Sequence, residues 1–212
     1  MPPDGPVLGF DTSAAHCAAA VVSGSEVLAW CVEPMETGQA ERLMPLLDDV
    51  LTEAGVRFRD LVALGVGTGP GNFTGVRIAV SAARGLALAL GVPAIGVTGF
   101  EALAFGQAGP VVTLLDARRG AFWLATDGVP PGPCTVETLP DGLEGRDVVG
   151  YRAAEVAALT GGRVRLPVAP LPVAIAQIAG TRRAVPQPRP APMYLRPADA
   201  ALPSEPPVVI LP

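Results

Sequence analysis

Apolar residues recur along this chain in two rhythms, and their alternation predicts a layered α/β protein. An apolar run from Val7 to Thr12 closes on Asp11-Thr12-Ser13, and runs from His16 to Val22 and Val27 to Val32 flank the polar Ser23-Gly24-Ser25. Short runs around a polar turn predict a strand followed by a hairpin. The rhythm then changes. Leu43, Met44, Leu46, Leu47, Val50, Leu51 and Ala54 recur at helical spacing, with Gly55 as a stop. Leu61 to Val66 predicts a buried strand running into the glycine-rich stretch Gly67 to Gly75. A second helix is predicted from Gly75 to Leu90, ended by Gly91 and Pro93. It is apolar on nearly every face, with small residues at Ala79, Ala82, Ala83 and Gly85 and one polar stripe of Arg77, Ser81 and Arg84. A helix apolar all round is normally buried on all sides. One side of this one is expected to meet a subunit partner.

Pro93 to Val97 predicts a further strand and Gly99 to Phe105 a short helix, after which the pattern restarts. Val111 to Leu115 followed by Asp116, then Phe122 to Thr126, echoes the opening strand, aspartate and hairpin. Two lobes are therefore expected, residues 1–108 and a smaller one of residues 109–212. Beyond Thr126 the signal weakens, with strands expected at Val148-Val149 and Val164 to Leu166 and helices at Ala153 to Leu159 and Val173 to Ala179. The proline-rich tail from Ala184 is expected to lie extended over the surface.

Composition sharpens this picture. Half of the 212 residues are hydrophobic and 17% are charged, against a usual charged share of roughly 25%. No stretch offers the ~20 uninterrupted apolar residues of a membrane span. The start, Met1-Pro2-Pro3-Asp4, lacks a basic flank and apolar core. A cytoplasmic protein is expected, with no membrane partner and with its spare apolar surface against another protein. The net charge is −5, so a nucleic acid would be held chiefly through a basic partner. Cys17, Cys31 and Cys134 form no C-x-x-C pair and read as reduced thiols.

The most specific chemical feature is the loop from Gly67 to Gly75. It lies between a strand and a helix start, where free N–H groups can hold an anion. Gly69 and Gly71 permit positive φ and Pro70 stiffens the turn. It is neither a P-loop nor a dinucleotide fingerprint, and a purely structural tight turn is the alternative. The candidate anion or nucleotide residues are Asp11, Thr12, Ser13, Gly69, Gly71, Asn72 and Thr74. Asp11 and Asp116, at matching places in the two lobes, are candidates to hold a cation, or else residues that cap their own turns. The single histidine, His16, argues against a histidine-dependent metal centre; it would also have to be the base for serine or cysteine catalysis, and neighbouring Cys17 is expected on the opposite face of the strand.

Gly69-Pro70-Gly71-Asn72-Phe73-Thr74-Gly75-Val76-Arg77-Ile78 resembles the G-P-G-S-F-T-G-L-R-I signature of the TsaB/YeaZ family, with Asn72 at the usual serine. Gly9-Phe10-Asp11-Thr12-Ser13 is similar to its I-D-T-S start. Glu41-Arg42-Leu43-Met44-Pro45 is similar to its H-S-E-x-L-x-P helix start, with Gln39 and Ala40 in place of His-Ser. Asp116 to Gly120 and Met193-Tyr194-Leu195-Arg196-Pro197 resemble its D-A-R-R-G and closing Y-L-R-P elements. The resemblance implies an actin-like ATPase (ASKHA, RNase H-like) fold with two related lobes. It also implies a non-catalytic subunit that supports the TsaD (Kae1-type) enzyme in threonylcarbamoylation of the adenosine beside the anticodon of tRNAs reading ANN codons. TsaE, an ATPase, and tRNA would join through that complex, and a homodimer is expected without it. The catalytic relative carries an H-x-x-x-H metal pair on its first helix, in the neighbourhood where this chain has Gln39 and Leu43.

The expected partner contacts are Glu41, Leu43, Met44, Leu47, Leu51, Arg77, Ile78, Ala79, Ala82 and Leu86, with no catalytic residue and no metal ligand. No cofactor of its own is expected, and a retained ATP or ADP with Mg would sit at the subunit interface. The rival reading is an independent ATP-dependent kinase or hydrolase of the actin-like superfamily.

Overall fold

The computed structural model describes residues 5–195. Strands β1 (Pro6–Asp11), β2 (His16–Ser23), β3 (Glu26–Pro34), β4 (Ala63–Gly67) and β5 (Ala94–Val97) form one sheet in the order β3-β2-β1-β4-β5. β1, β2 and β3 pair antiparallel, whereas β1, β4 and β5 pair parallel. Strands β6 (Val111–Asp116), β7 (Phe122–Thr126), β8 (Val129–Cys134), β9 (Asp147–Gly150) and β10 (Val164–Arg165) form a second sheet, β10-β9-β6-β7-β8. Its first strand likewise starts an antiparallel hairpin on one side and takes parallel strands on the other. The repeat heard in the sequence is thus a repeat of topology.

β8 escaped the sequence reading because Pro130, Pro131 and Pro133 break a strand pattern. Its place explains their tolerance. β8 is an edge strand bonded to β7 alone, so prolines without N–H groups need cost no ladder bond.

Helices α1 (Gln39–Glu53) and α2 (Phe73–Leu90) cover one face of the first sheet. Leu43, Leu46, Leu47, Val50 and Leu51 of α1 are fully buried against Leu8, Phe10 and Val21, at about 1.5–3 kcal/mol for each such side chain. Leu47 contributes to this core rather than to an outer surface.

The opposite face is covered by α5 (Leu171–Arg182), which departs from the expected division at residue 109. α5 follows the second sheet in sequence yet packs on the first, with Val173, Ile175 and Ile178 against Val7, Val22 and Ile95. Two paired glycines admit it. Gly9 lies opposite Gly65, and a Cβ at Gly9 would meet the Pro172 carbonyl at 2.6 Å, while one at Gly65 would meet that of Ile175 at 2.8 Å. Close backbone approach is a use of glycine that a hydropathy pattern does not register.

Helix α3 (Gly99–Ala104) touches α5 on one side and β6 on the other. Glu101 of α3 accepts from Arg182 at 2.6 Å. Burial pushes its carboxyl up, but the Thr98 N–H, Arg182 and the Thr98 hydroxyl outweigh it and hold it below the ordinary glutamate range. Helix α4 (Ala153–Thr160) packs Val156 and Ala157 on the second sheet with Leu143 and Val148. The tail from Ala184 forms no regular element up to Leu195. It runs beside α2, with Arg84 Nε donating to the Pro190 carbonyl and the Met193 N–H to the Thr68 carbonyl, both at 2.8 Å.

Candidate functional site

β1 and β4 are parallel neighbours, so their C-terminal ends bring the Asp11 turn and the glycine-rich loop to one edge of the sheet. There the chain closes on itself. Asp11 is buried, and its Oδ1 accepts from the Ser13 N–H and hydroxyl, both at 2.9 Å. His16 Nε2 lies 2.7 Å from the same oxygen. The Thr12 hydroxyl donates to the Gly75 carbonyl at 2.7 Å, and the Asn72 N–H to the Ser13 carbonyl at 2.6 Å.

The glycines make this contact possible. A Cβ at Gly67 would stand 1.8 Å from Asp11 Oδ2, one at Gly71 2.2 Å from the Ser13 carbonyl, and one at Gly75 2.0 Å from that of Thr12. Gly69 has φ 88°, as expected, and precedes a cis Pro70. Gly71, which could adopt positive φ, does not; its smallness, rather than its backbone freedom, is what the turn uses. Asn72 caps α2, its Oδ1 accepting from the N–H groups of Thr74 at 3.0 Å and Gly75 at 3.4 Å. Asp11, Thr12, Ser13, Gly69, Gly71, Asn72 and Thr74 therefore meet at one junction. Its first-turn donors already bond Asn72, so a phosphate there would have to displace that side chain.

Removing the Asp11 carboxylate strands these donors. Asp11→Ala is expected to lower stability by about 2–3 kcal/mol, read as an earlier midpoint in urea. A midpoint shift under ~0.5 kcal/mol would mean the junction does not depend on the carboxylate. Asp116, at the matching end of β6, is exposed and accepts from the Arg118 N–H at 2.7 Å. Among the described residues no three His, Cys, Asp or Glu side chains stand close enough to share a metal ion. Burial pushes the Cys17 thiol up to about 11, so it stays protonated and unreactive at neutral pH.

The second candidate surface is the outside of α1 and α2. Arg42 holds Glu33 at 2.6 Å and Asp49 at 2.8 Å, and keeps the Glu33 carboxyl below the usual range. Of the expected partner contacts, Leu43, Leu47, Leu51 and Ala79 are buried in the chain's own core and can touch no partner. Helical periodicity detected them because it reports the stripe that faces the sheet. Glu41, Met44 and Arg77 are exposed, and Ile78, Ala82 and Leu86 are half-buried. Arg77 stacks 3.7 Å over the Phe73 ring and donates to the Tyr194 hydroxyl at 2.8 Å. Of the Met193 to Pro197 motif, Arg196 and Pro197 lie outside the described residues, as does the opening Met1 to Asp4.

α2 is the anomaly. It is long and apolar enough to cross a membrane by length and composition, yet only 28% of it is buried. Its inner stripe is Gly75, Val76, Ala79, Val80 and Ala83. Its outer stripe carries Ser81, Gly85, Leu88 and Ala89, and Leu88 is 87% exposed. A Cβ at Gly85 would meet nothing within 4 Å. Ser81 and Leu88 were not among the expected partner contacts, although their spacing of four and three from Gly85 places them on the same outer stripe.

Residues 33–137 match the family profile described as "TsaD: tRNA N6-adenosine threonylcarbamoyltransferase". The Escherichia coli (strain K12) tRNA threonylcarbamoyladenosine biosynthesis protein TsaB is 37% identical over 123 residues, covering 55% of this chain and 53% of that protein. The chain thus spans about half the length of that curated relative. The Mycobacterium tuberculosis (strain H37Rv) protein Rv3421c is 33% identical over 199 residues, 92% of this chain and 93% of its own length. Among solved structures, YeaZ from Pseudomonas aeruginosa superposes with a TM-score of 0.70 at 27% identity, over 90% of this chain and all (100%) of the other. The two-lobed, actin-like α/β fold expected from the motifs is the fold observed.

Proposed function

The chain belongs to the TsaB/YeaZ family, and from that premise we propose that it is a partner subunit in tRNA threonylcarbamoyladenosine formation, docking through α2 onto a TsaD-type catalytic subunit. The observation that carries this reading is α2 itself, an 18-residue apolar helix with 28% of its residues buried and with Ser81, Gly85, Leu88 and Ala89 facing out. Apolar surface of that extent is unfavourable in water and favours a protein partner. Small residues let a second helix approach to about 8–10 Å. The match of residues 33–137, which include α1 and α2, to the TsaD profile supports a partner of the same build.

The chain's own residues support a non-catalytic role. Gln39 and Leu43 stand where the catalytic relative has its histidine pair, and both are buried. The Asp11 carboxylate is engaged by its own turn. In this reading TsaE and tRNA join through the complex in the cytoplasm, a retained ATP or ADP with magnesium sits at the shared interface, and the isolated chain pairs with a second copy through α2.

Reconstitution tests the proposal. TsaD, TsaE, the threonylcarbamoyl-AMP-forming enzyme, unmodified tRNA, threonine, bicarbonate and ATP would be combined with and without this protein. Modification is expected to require it, and the chain alone is expected to turn over no ATP. Full modification without it, or brisk hydrolysis by the isolated chain, would overturn the proposal in favour of an independent enzyme.

A further inference from the structure

A groove of about 880 Å³ runs between the C-terminal half of α2 and the segment Arg183 to Pro190. Arg84, Arg183 and Arg189 line it, and no carboxylate does. This is unusual in a chain of net charge −5. Elsewhere Arg42, Arg57, Arg152, Arg163, Arg165 and Arg182 each sit on a carboxylate, while Arg77 and Arg146 are held by neutral hydroxyl or carbonyl groups. Here Arg84 is tied through Nε to the Pro190 carbonyl and Arg183 through Nη1 to that of Gly180, bonds that position both guanidinium groups and neutralise neither. Arg189 has no ion-pair partner among the described residues. Between the arginines the wall is aliphatic, with Leu88 87% and Val185 61% exposed.

We propose that this groove is a second docking site for the same partner subunit, receiving a segment that sets carboxylates against Arg84, Arg183 and Arg189 and an apolar side chain against Leu88 and Val185. The inference rests on the docking reading above. Three uncompensated cations with no acidic neighbour call for an anionic occupant. The wall between them calls for an apolar one. It presents no aromatic ring on which a base could stack, which single-stranded nucleic acid would use. Arg84, Ala87 and Leu88 also belong to α2, so a partner seated on the outer stripe of that helix reaches the groove without a second approach. The apolar stripe supplies contact area, and the groove supplies orientation and salt-sensitive selectivity.

The test is a titration of purified TsaD-type subunit against the wild-type chain and the double variant Arg183→Glu/Arg189→Glu, at low and high salt. The double variant is expected to bind at least tenfold more weakly at low salt, and the wild-type affinity to fall with salt while that of the variant rises or holds as its repulsion is screened. Arg183→Gln/Arg189→Gln, which removes charge without reversing it, should fall between the two, and retained melting temperatures would show that both variants fold. Unchanged affinity in a folded double variant would overturn the proposal. If Gly85→Arg still abolishes the complex in that case, α2 docking stands and the groove alone fails; if Gly85→Arg is also silent, the docking reading itself has failed. Unchanged subunit affinity with weaker binding of unmodified tRNA to the complex would make the groove an RNA site and equally overturn the proposal.

Discussion

Arginine at Gly85 is expected to abolish the proposed complex with the TsaD-type subunit and to leave the isolated chain folded. The expectation follows from the geometry of α2. A side chain at Gly85 meets nothing within 4 Å, so the free chain accommodates it, and replacing a mid-helix glycine raises helix propensity by up to about 1 kcal/mol. In the complex proposed above, the same position would lie in the seam of small residues where the partner helix approaches. A guanidinium there holds the helices apart or is buried without a counter-charge, at a cost of several kcal/mol. A loss of about 4 kcal/mol is roughly a thousandfold in affinity. Gel filtration with calorimetry reads it. A folded Gly85→Arg chain that still assembles would sink α2 as the interface. Gly85 is a cleaner probe than Ala82, which is partly packed against the core, and far cleaner than Leu47, where a charge would unfold the chain.

Gly75→Ala destabilises the protein by about 3 kcal/mol, although glycine to alanine within a helix ordinarily stabilises. The added Cβ would stand 2.0 Å from the Thr12 carbonyl, a backbone atom in the turn that directly follows β1. Relief requires moving α2 away from β1, breaking the Thr12 hydroxyl bond to Gly75 and the Asn72 bond to Ser13. Overpacking of this kind costs about 1–3 kcal/mol, and the lost bonds add to it. For a chain of this size the expected fall in melting temperature is about 6–12 °C. Gly85→Ala, ten residues along the same helix, is the control and is expected to raise stability by about 0.5–1 kcal/mol. Equal behaviour of the two substitutions would show that the junction yields freely and that Gly75 has no packing role.

These contrasts locate what hydropathy can and cannot report. A pattern of apolar positions records which residues leave water, not what they leave it for. Leu43, Leu47 and Leu51 were correctly read as one apolar stripe, but that stripe covers their own sheet, and the outward residues of the same helices had to be found in the fold. Glycine is similarly ambiguous in sequence. Gly69 serves a left-handed turn, Gly71 and Gly75 serve close backbone contact, and Gly85 leaves an opening. The residues grouped in sequence as Asp11 to Ser13 and Gly69 to Thr74 do meet at one junction, while the choice between anion binding and a tight turn stays open.

The sequence by itself determined the main secondary elements of the first lobe, the repeat of strand, aspartate and hairpin and the family motifs, because these follow from short-range periodicity and backbone preference. Tertiary structure alone decided that α5 crosses to the first sheet through Gly9 and Gly65, that the proline-bearing β8 survives as an edge, and that α2 leaves a stripe at Gly85, Leu88 and Ala89 open. Each of these depends on contacts between residues far apart in the chain, where the free energy lies in complementary shape and in which face is covered, and neither is written in the order of residues along one segment.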